Sequence, residues 1–263
     1  EGIIVTESRP LGRVLAQIAA GEPHLLDQRW DDPGIISFAS GKKLVTSPQL
    51  RLATEASATI VDDGFTAFLP PLSAADLAAD FRSFHAISNS ARAVIQGVRR
   101  GYAFERDFEV KLAALVERAV SRHHEQRGAL VLHGQSGTGK SIAMARLALH
   151  LRKKKSAAVL LALNSLPQAM EVAEFLAAVD GESEVTAILV DASESVGRYD
   201  DFLGALRSRG HRVVVVGTSY RQENPPEAIQ NRLIGATSLL SLAEKQALGA
   251  LAKRVGVVDT PSL

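Results

Sequence analysis

Eight consecutive residues, Gly134, Gln135, Ser136, Gly137, Thr138, Gly139, Lys140 and Ser141, set three glycines, a lysine and a hydroxyl in the spacing G-x-x-x-x-G-K-S. Glycines at these positions let the backbone wrap tightly and turn successive N–H groups inward, which makes a concave donor array for phosphate oxygens. The lysine adds a mobile positive charge for the β and γ phosphates, and the serine hydroxyl suits the oxygen shell of Mg²⁺. All eight residues are therefore candidates for binding a nucleoside triphosphate, with ATP and Mg²⁺ the expected pair. The competing reading is a glycine-rich turn with an incidental lysine.

Two other segments end in groups that such a ligand needs. The apolar run Ala187 to Val190 stops at Asp191, placed to hold Mg²⁺ through water, or else to cap a helix. A glutamate that orients attacking water is expected next, but Ala192 stands there and the following acid is Glu194. Glu194 is thus a candidate catalytic acid displaced along the turn, or a solvated loop residue. The run Arg212 to Gly217 ends in Thr218, Ser219, Tyr220 and Arg221. Thr218 and Arg221 are candidates for sensing the γ phosphate, because ligands of open α/β sheets lie beyond the carboxyl ends of the strands. Arg221 otherwise reads as a surface cation.

These residues need a scaffold that brings strand ends together. From residue 128 onward, β-branched apolar runs alternate with amphipathic helical stretches, the pattern of a parallel sheet covered by helices. The expected strands are Ala129 to His133, Ala157 to Leu163, Val185 to Val190, Val213 to Gly217 and Ala236 to Leu240. Helical spacing recurs in Ser141 to Arg152, Pro167 to Val179, Asp200 to Arg209 and Pro226 to Leu233. The fold class is α/β: a doubly wound, five-stranded parallel sheet over residues 101–240, preceded by an α/β connector in residues 1–100. Past Ser241 another helical repeat begins a small helical lid, residues 241–263.

The first hundred residues give elements and no chemistry. A short helix is expected at Leu11 to Ala20, strands at Ile35 to Ala39 and Ala58 to Val61, and a serine-capped helix at Ser73 to Phe84. Asp62, Asp63 and Gly64 read as a turn, and Pro70-Pro71 as a break. A helix over Glu105 to Arg122 leads into the first core strand.

Thirty basic residues against 29 acidic ones give a formal charge of +1, so no global field draws the chain to nucleic acid or anionic lipid. The absence of cysteine excludes disulfides, zinc–thiolate sites and a thiol nucleophile. No apolar run approaches the ~20 residues of a membrane span, and no signal-peptide pattern opens the chain, so a cytoplasmic location is expected. The cluster Arg152 to Lys155 reads as a solvated helix end complementing the helix dipole. Arg99 and Arg100 beside Tyr102 and Phe104 are too few for a nucleic-acid groove. The chain opens on Glu1 rather than Met, which suggests a piece of a longer protein.

With these parts in order, the region from Gly101 onward, about three-fifths of the chain, resembles the AAA+ and STAND divisions of P-loop NTPases. Phe104 to Glu109 is similar to the aromatic, arginine and acid motif that precedes the first strand in STAND proteins, with Glu105 in place of its usual glycine. By that resemblance Arg106 joins the nucleotide-binding set. The Thr218 to Arg221 segment resembles the Thr-Ser-Arg sensor with one residue inserted, and Leu239 to Glu244 resembles the start of the helical lid.

The resemblance implies an ATP-driven conformational latch with weak hydrolysis. It also implies self-association or a partner protein engaged through flanking domains. An AAA+ reading implies a ring-forming remodelling or DNA-handling ATPase, with Arg232 either a finger reaching a neighbouring subunit or an ornament of a helix end. A small-molecule kinase would need an arginine-rich lid, for which only Arg232 and Arg254 follow Arg221. A scaffold that binds nucleotide without turnover stays open.

Overall fold

The computed structural model describes residues 35–37, 43–62, 73–86, 91–154, 157–220 and 226–256. The helix expected at residues 11–20, the end of the strand expected over 35–39, residues 63–64, the Pro70-Pro71 break, Lys155 and Arg221 lie outside the described residues.

Ahead of the main sheet, strands β1 (Ile35–Ser37) and β2 (Lys43–Val45) pair antiparallel. Helix α1 (Pro48–Glu55) starts where Ser47 Oγ accepts the Leu50 N–H at 3.1 Å and Pro48 presets the first turn. The short strand β3 (Thr59–Ile60) follows. Asp62, read as a turn former, is instead buried and ion-paired with Arg51 of α1. Helix α2 (Ala74–Ala86) has the expected cap, Ser73 Oγ accepting the Asp76 N–H at 3.2 Å, and α3 (Ala91–Arg99) leads towards α4 (Asp107–Ser121).

The core then alternates strand and helix: β4 (Leu130–His133), α5 (Lys140–Lys154), β5 (Ala158–Leu163), α6 (Ala169–Val179), β6 (Thr186–Asp191), α7 (Val196–Arg207), β7 (Val213–Ser219), α8 (Glu227–Gln230), β8 (Leu233–Gly235) and α9 (Leu242–Arg254). The sheet order is β3-β5-β6-β7-β4-β8, with β4 to β8 parallel and β3 antiparallel on the edge of β5. Four of the five parallel strands, β4 to β7, lie where expected, and the edge strand adds a sixth from the region before residue 100.

Side chains of the strands alternate between two apolar layers. Val159, Leu161, Ala187, Leu189, Val214 and Val216 face the layer built with α3, α4 and α5. Leu160, Ile188, Val190, Val213 and Val215 face the layer built with α6 and α7. Burial on both faces explains why these strands read as unbroken apolar runs.

Three further expectations are corrected. The last strand lies at Leu233–Gly235, not at 236–240, and the helix before it ends at Gln230 instead of Leu233. Leu233 and Ile234 fill the core beside β4, whereas Leu239 is 81% exposed, so the later apolar run has no sheet to join. Arg152, in the last turn of α5, is buried rather than solvated. Among the described residues no helix is long and apolar enough to cross a membrane.

Candidate functional site: the phosphate loop and the strand ends beside it

The loop Gly134 to Gly139 leaves β4 at its carboxyl end and enters α5 at Lys140. Gly137 and Gly139 have φ of 78° and 91°, a left-handed conformation that side-chain-bearing residues rarely adopt. Gln135, Ser136 and Gly137 form an exposed crest, while Thr138 and Lys140 are buried beneath it. The Thr138 hydroxyl donates to the Gln135 carbonyl at 2.9 Å, and Lys140 Nζ donates to Gly134 O at 2.9 Å and Gln135 O at 2.8 Å. Ser141, on the first turn of α5, is exposed. The amino end of α5 thus opens onto the same loop, where its unsatisfied N–H groups and dipole favour an anion.

Burial lowers the Lys140 ammonium below the ordinary lysine range, and the charge of Asp191 offsets part of that shift. Asp191 ends β6, and Thr218 lies near the end of the adjoining β7. Thr218 Oγ1 donates to Asp191 Oδ1 at 2.6 Å and accepts the Ser193 N–H at 3.2 Å. The structure therefore gathers Lys140, Asp191 and Thr218 at the carboxyl ends of the inner strands β4, β6 and β7.

Glu194 engages a different partner. Its carboxylate accepts from Arg198 at 2.8 Å, one turn into α7. Its backbone N–H points to the Tyr199 hydroxyl at 3.3 Å.

Arg106 comes to the loop from the chain just before α4. Its Nη1 donates to the Thr138 carbonyl at 2.9 Å and its Nη2 to the Thr237 carbonyl at 2.7 Å. Its Nε donates to Glu244 at 2.8 Å in the first turn of α9. The segment carrying it is strapped to α5 by Arg146, which bonds Glu109 at 2.8 Å and the Ala103 carbonyl at 3.3 Å.

Arg232 lies at the opposite end of β4. It forms a two-pronged pair with Asp200 at 2.7 and 3.1 Å and donates to the Ala129 carbonyl at 3.1 Å, and Asp200 accepts the Ala129 N–H at 2.8 Å. Its guanidinium is committed within the chain.

Tyr199 and Glu244 are site residues that sequence reasoning missed. Tyr199 is fully buried, donates to the Thr218 carbonyl at 2.7 Å, and lies against Gly217 so closely that a Cβ there would meet its ring at 2.3 Å. A glycine inside the β-branched run at 213–216 was the available signal of a close approach. For Glu244 the signal was its spacing from Ser241, which marks a capping box.

A parallel sheet whose glycine-rich loop opens towards an acid and a hydroxyl on the neighbouring strand ends is the arrangement of a P-loop NTPase. Within that class the assignment is specific: residues 90–226, just over half of the chain, match the model of the family Novel STAND NTPase 5. The chain belongs to that family.

Comparison with curated proteins returns no match. Among solved structures the chain is similar to C. elegans PCH-2, with 20% identity and a TM-score of 0.35 over 70% of this chain and 54% of that one. It is also similar to a chain of the HORMA:CdnC:Trip13 complex of E. coli MS115-1, with 12% identity and a TM-score of 0.33 over 70% and 68% of the two chains. A third similarity is to a chain of Drosophila ORC bound to DNA, with 10% identity, a TM-score of 0.34 and coverage of 68% and 36%. The chain thus spans about half the length of the PCH-2 chain it matches.

Proposed function

We propose that the chain is an ATP-binding conformational switch that hydrolyses its nucleotide slowly. The observation that supports this most is Arg106, a buried guanidinium bonded at once to the phosphate loop at Thr138 and to α9 at Glu244. A contact of that kind links the shape of the nucleotide site to the seating of a C-terminal element, which is what a switch requires.

The residues fit the ligand. The left-handed glycines, Lys140 and the amino end of α5 would hold the β and γ phosphates, while Ser141 and Asp191 would hold Mg²⁺. When bound, the metal supplies neutralisation of charge developing on the phosphates. Thr218 keeps Asp191 oriented. Arg221 is proposed as a γ-phosphate sensor on the sequence argument alone.

Slow turnover follows from the turn after β6. Ala192 takes the place beside Asp191, and the next acid, Glu194, is paired with Arg198. We further propose a connector in residues 1–100, a core in 101–240 and the start of a lid in 241–263, with α9 as its first helix. The switch would work in the cytoplasm on a partner protein or a second copy of the chain. A nucleic-acid partner has little support.

The test is single-turnover hydrolysis of labelled ATP by wild type, Asp191→Asn and Glu194→Gln, together with a fluorescent-nucleotide titration of Lys140→Ala. Slow release of phosphate by wild type, its loss in Asp191→Asn, and loss of binding in Lys140→Ala are expected. Binding without any turnover would identify a scaffold, and unchanged binding by Lys140→Ala would end the reading.

A further inference from the structure

Glu244 collects more of the molecule than a helix cap needs. Its Oε1 accepts from Arg106 Nε and from the Asp107 N–H, each at 2.8 Å, and its Oε2 accepts the Ser241 N–H at 2.8 Å. The side chain is 2% exposed. Burial raises its carboxyl, but the bonds from the Asp107 and Ser241 amides and from Arg106 outweigh this and leave it below the ordinary carboxylate value.

The other end of the connection is in the phosphate loop. Thr138 sits between two left-handed glycines, and its carbonyl takes Arg106 Nη1. A guanidinium is a rigid planar fork, so fixing its Nε on Glu244 fixes the direction of the remaining N–H groups. Arg106 is itself buried, and a buried charge cannot give up its partner without a large penalty, so Arg106 and Glu244 move together or not at all. The carboxyl end of α9 is tied down separately. Arg254 bonds the Gly101 carbonyl, and Leu251 and Val255 pack with Tyr102.

We propose that Glu244 is a positioning residue of the nucleotide site: it holds Arg106 on the Thr138 carbonyl, so that the phosphate loop keeps its shape only while α9 is docked. This deepens the switch reading and rests on it for the identity of the ligand. Seating of α9 and retention of triphosphate become one equilibrium, and whatever lifts α9 loosens the loop 106 residues earlier in the chain. A bland alternative exists in which Glu244 only caps α9. Ser241→Ala separates the two, since it removes the hydroxyl that accepts the Glu244 N–H and leaves Arg106 untouched.

The experiment uses the full chain as wild type, Glu244→Ala, the isosteric Glu244→Gln and Ser241→Ala. Amide hydrogen exchange is followed without nucleotide over residues 134–141 and 242–254, and release of a fluorescent ATP analogue is followed by stopped flow. Glu244→Ala is expected to speed exchange in both segments and to accelerate release by at least about tenfold, within the usual range of coupling between sites. Glu244→Gln falls between, and Ser241→Ala affects only the first turn of α9. If Glu244→Ala does not fold, Glu244→Gln carries the test through the same two readouts. The proposal is overturned if Ser241→Ala reproduces the effect on the loop, or if loop exchange and release stay at wild-type rates in the Glu244 variants. A wild type that binds no nucleotide defeats the proposed function alone, because the exchange measurement still decides the coupling.

Discussion

The Thr218 hydroxyl donates to Asp191 Oδ1 at 2.6 Å and at the same time accepts the Ser193 N–H at 3.2 Å. One buried side chain therefore orients the carboxylate proposed to hold Mg²⁺ and fixes the turn that follows it. Ser193 is one of two non-glycine residues with positive φ among those described, at 52°, so the turn needs that anchor. Thr218→Val keeps the shape and deletes both bonds. Urea unfolding should show a loss of about 1 kcal/mol, the usual result of leaving part-buried polar groups without a partner. Single-turnover hydrolysis should fall about tenfold or more, with nucleotide affinity changing much less.

Lys140 makes nucleotide affinity pH-dependent. Burial depresses its pKa, with partial compensation from Asp191, and a triphosphate restores the charged form. In the window between the lowered and the ordinary lysine value the unfolded chain binds more protons than the folded one, so this group makes stability rise with pH there. Nucleotide binding runs the other way: it takes up a proton, and affinity declines as pH rises, before the ordinary lysine range near about 10.4 is reached. Calorimetry at alkaline pH in two buffers of different ionisation enthalpy should record the uptake. Affinity that stays flat through that window contradicts the assignment of Lys140.

Arg198 should act as a brake on hydrolysis. It holds the Glu194 carboxylate at the exposed start of α7. Arg198→Ala is expected to raise the single-turnover rate several-fold, and Glu194→Gln in the same chain should cancel the gain. An unchanged rate in Arg198→Ala would remove the brake, and an unchanged rate in Glu194→Gln would remove Glu194 from catalysis.

Gly217→Ala tests the support behind the site. The added methyl meets the Tyr199 ring, whose hydroxyl holds the Thr218 carbonyl. A loss of about 1–3 kcal/mol is expected from overpacking, accompanied by slower hydrolysis. Tyr199→Phe, which keeps the ring, should lose less stability.

Arg232 bears on the ring reading. Its two-pronged pair with Asp200 predicts that Arg232→Ala costs about 1 kcal/mol of stability. Hydrolysis per chain should stay at the wild-type value at every protein concentration. A rate that rises with concentration in wild type and is lost in Arg232→Ala would establish an intersubunit finger.

The phosphate loop was legible because its chemistry is local: glycines, lysine and serine lie within eight residues, between an apolar strand and a helix. Strands β4 to β7 were legible because burial on both faces writes them as apolar runs. What escaped depends on distant partners. Leu233 and Ile234 form a strand only because β4 lies beside them, a choice that two apolar residues cannot announce. Helix α3 carries Gly97 within it, unfavourable in a helix by propensity but needed here because Phe84 occupies the space a Cβ would fill. The role of Glu244 depends on Arg106, 138 residues away. Arg221 lies outside the described residues, so the second half of the expected sensor has no structural account.

The edge strand β3 has a practical consequence for anyone isolating the nucleotide-binding core. Thr59 and Ile60 pair with Leu161 and Leu160, and the Val61 N–H reaches the Val159 carbonyl. A chain trimmed to begin at residue 101 would strip that cover and leave the outer backbone of an apolar strand unpaired. Such open edges template self-association. The trimmed protein should therefore precipitate or oligomerise where a chain starting ahead of α1 stays dispersed, so that the smallest well-behaved fragment begins some fifty residues before residue 101.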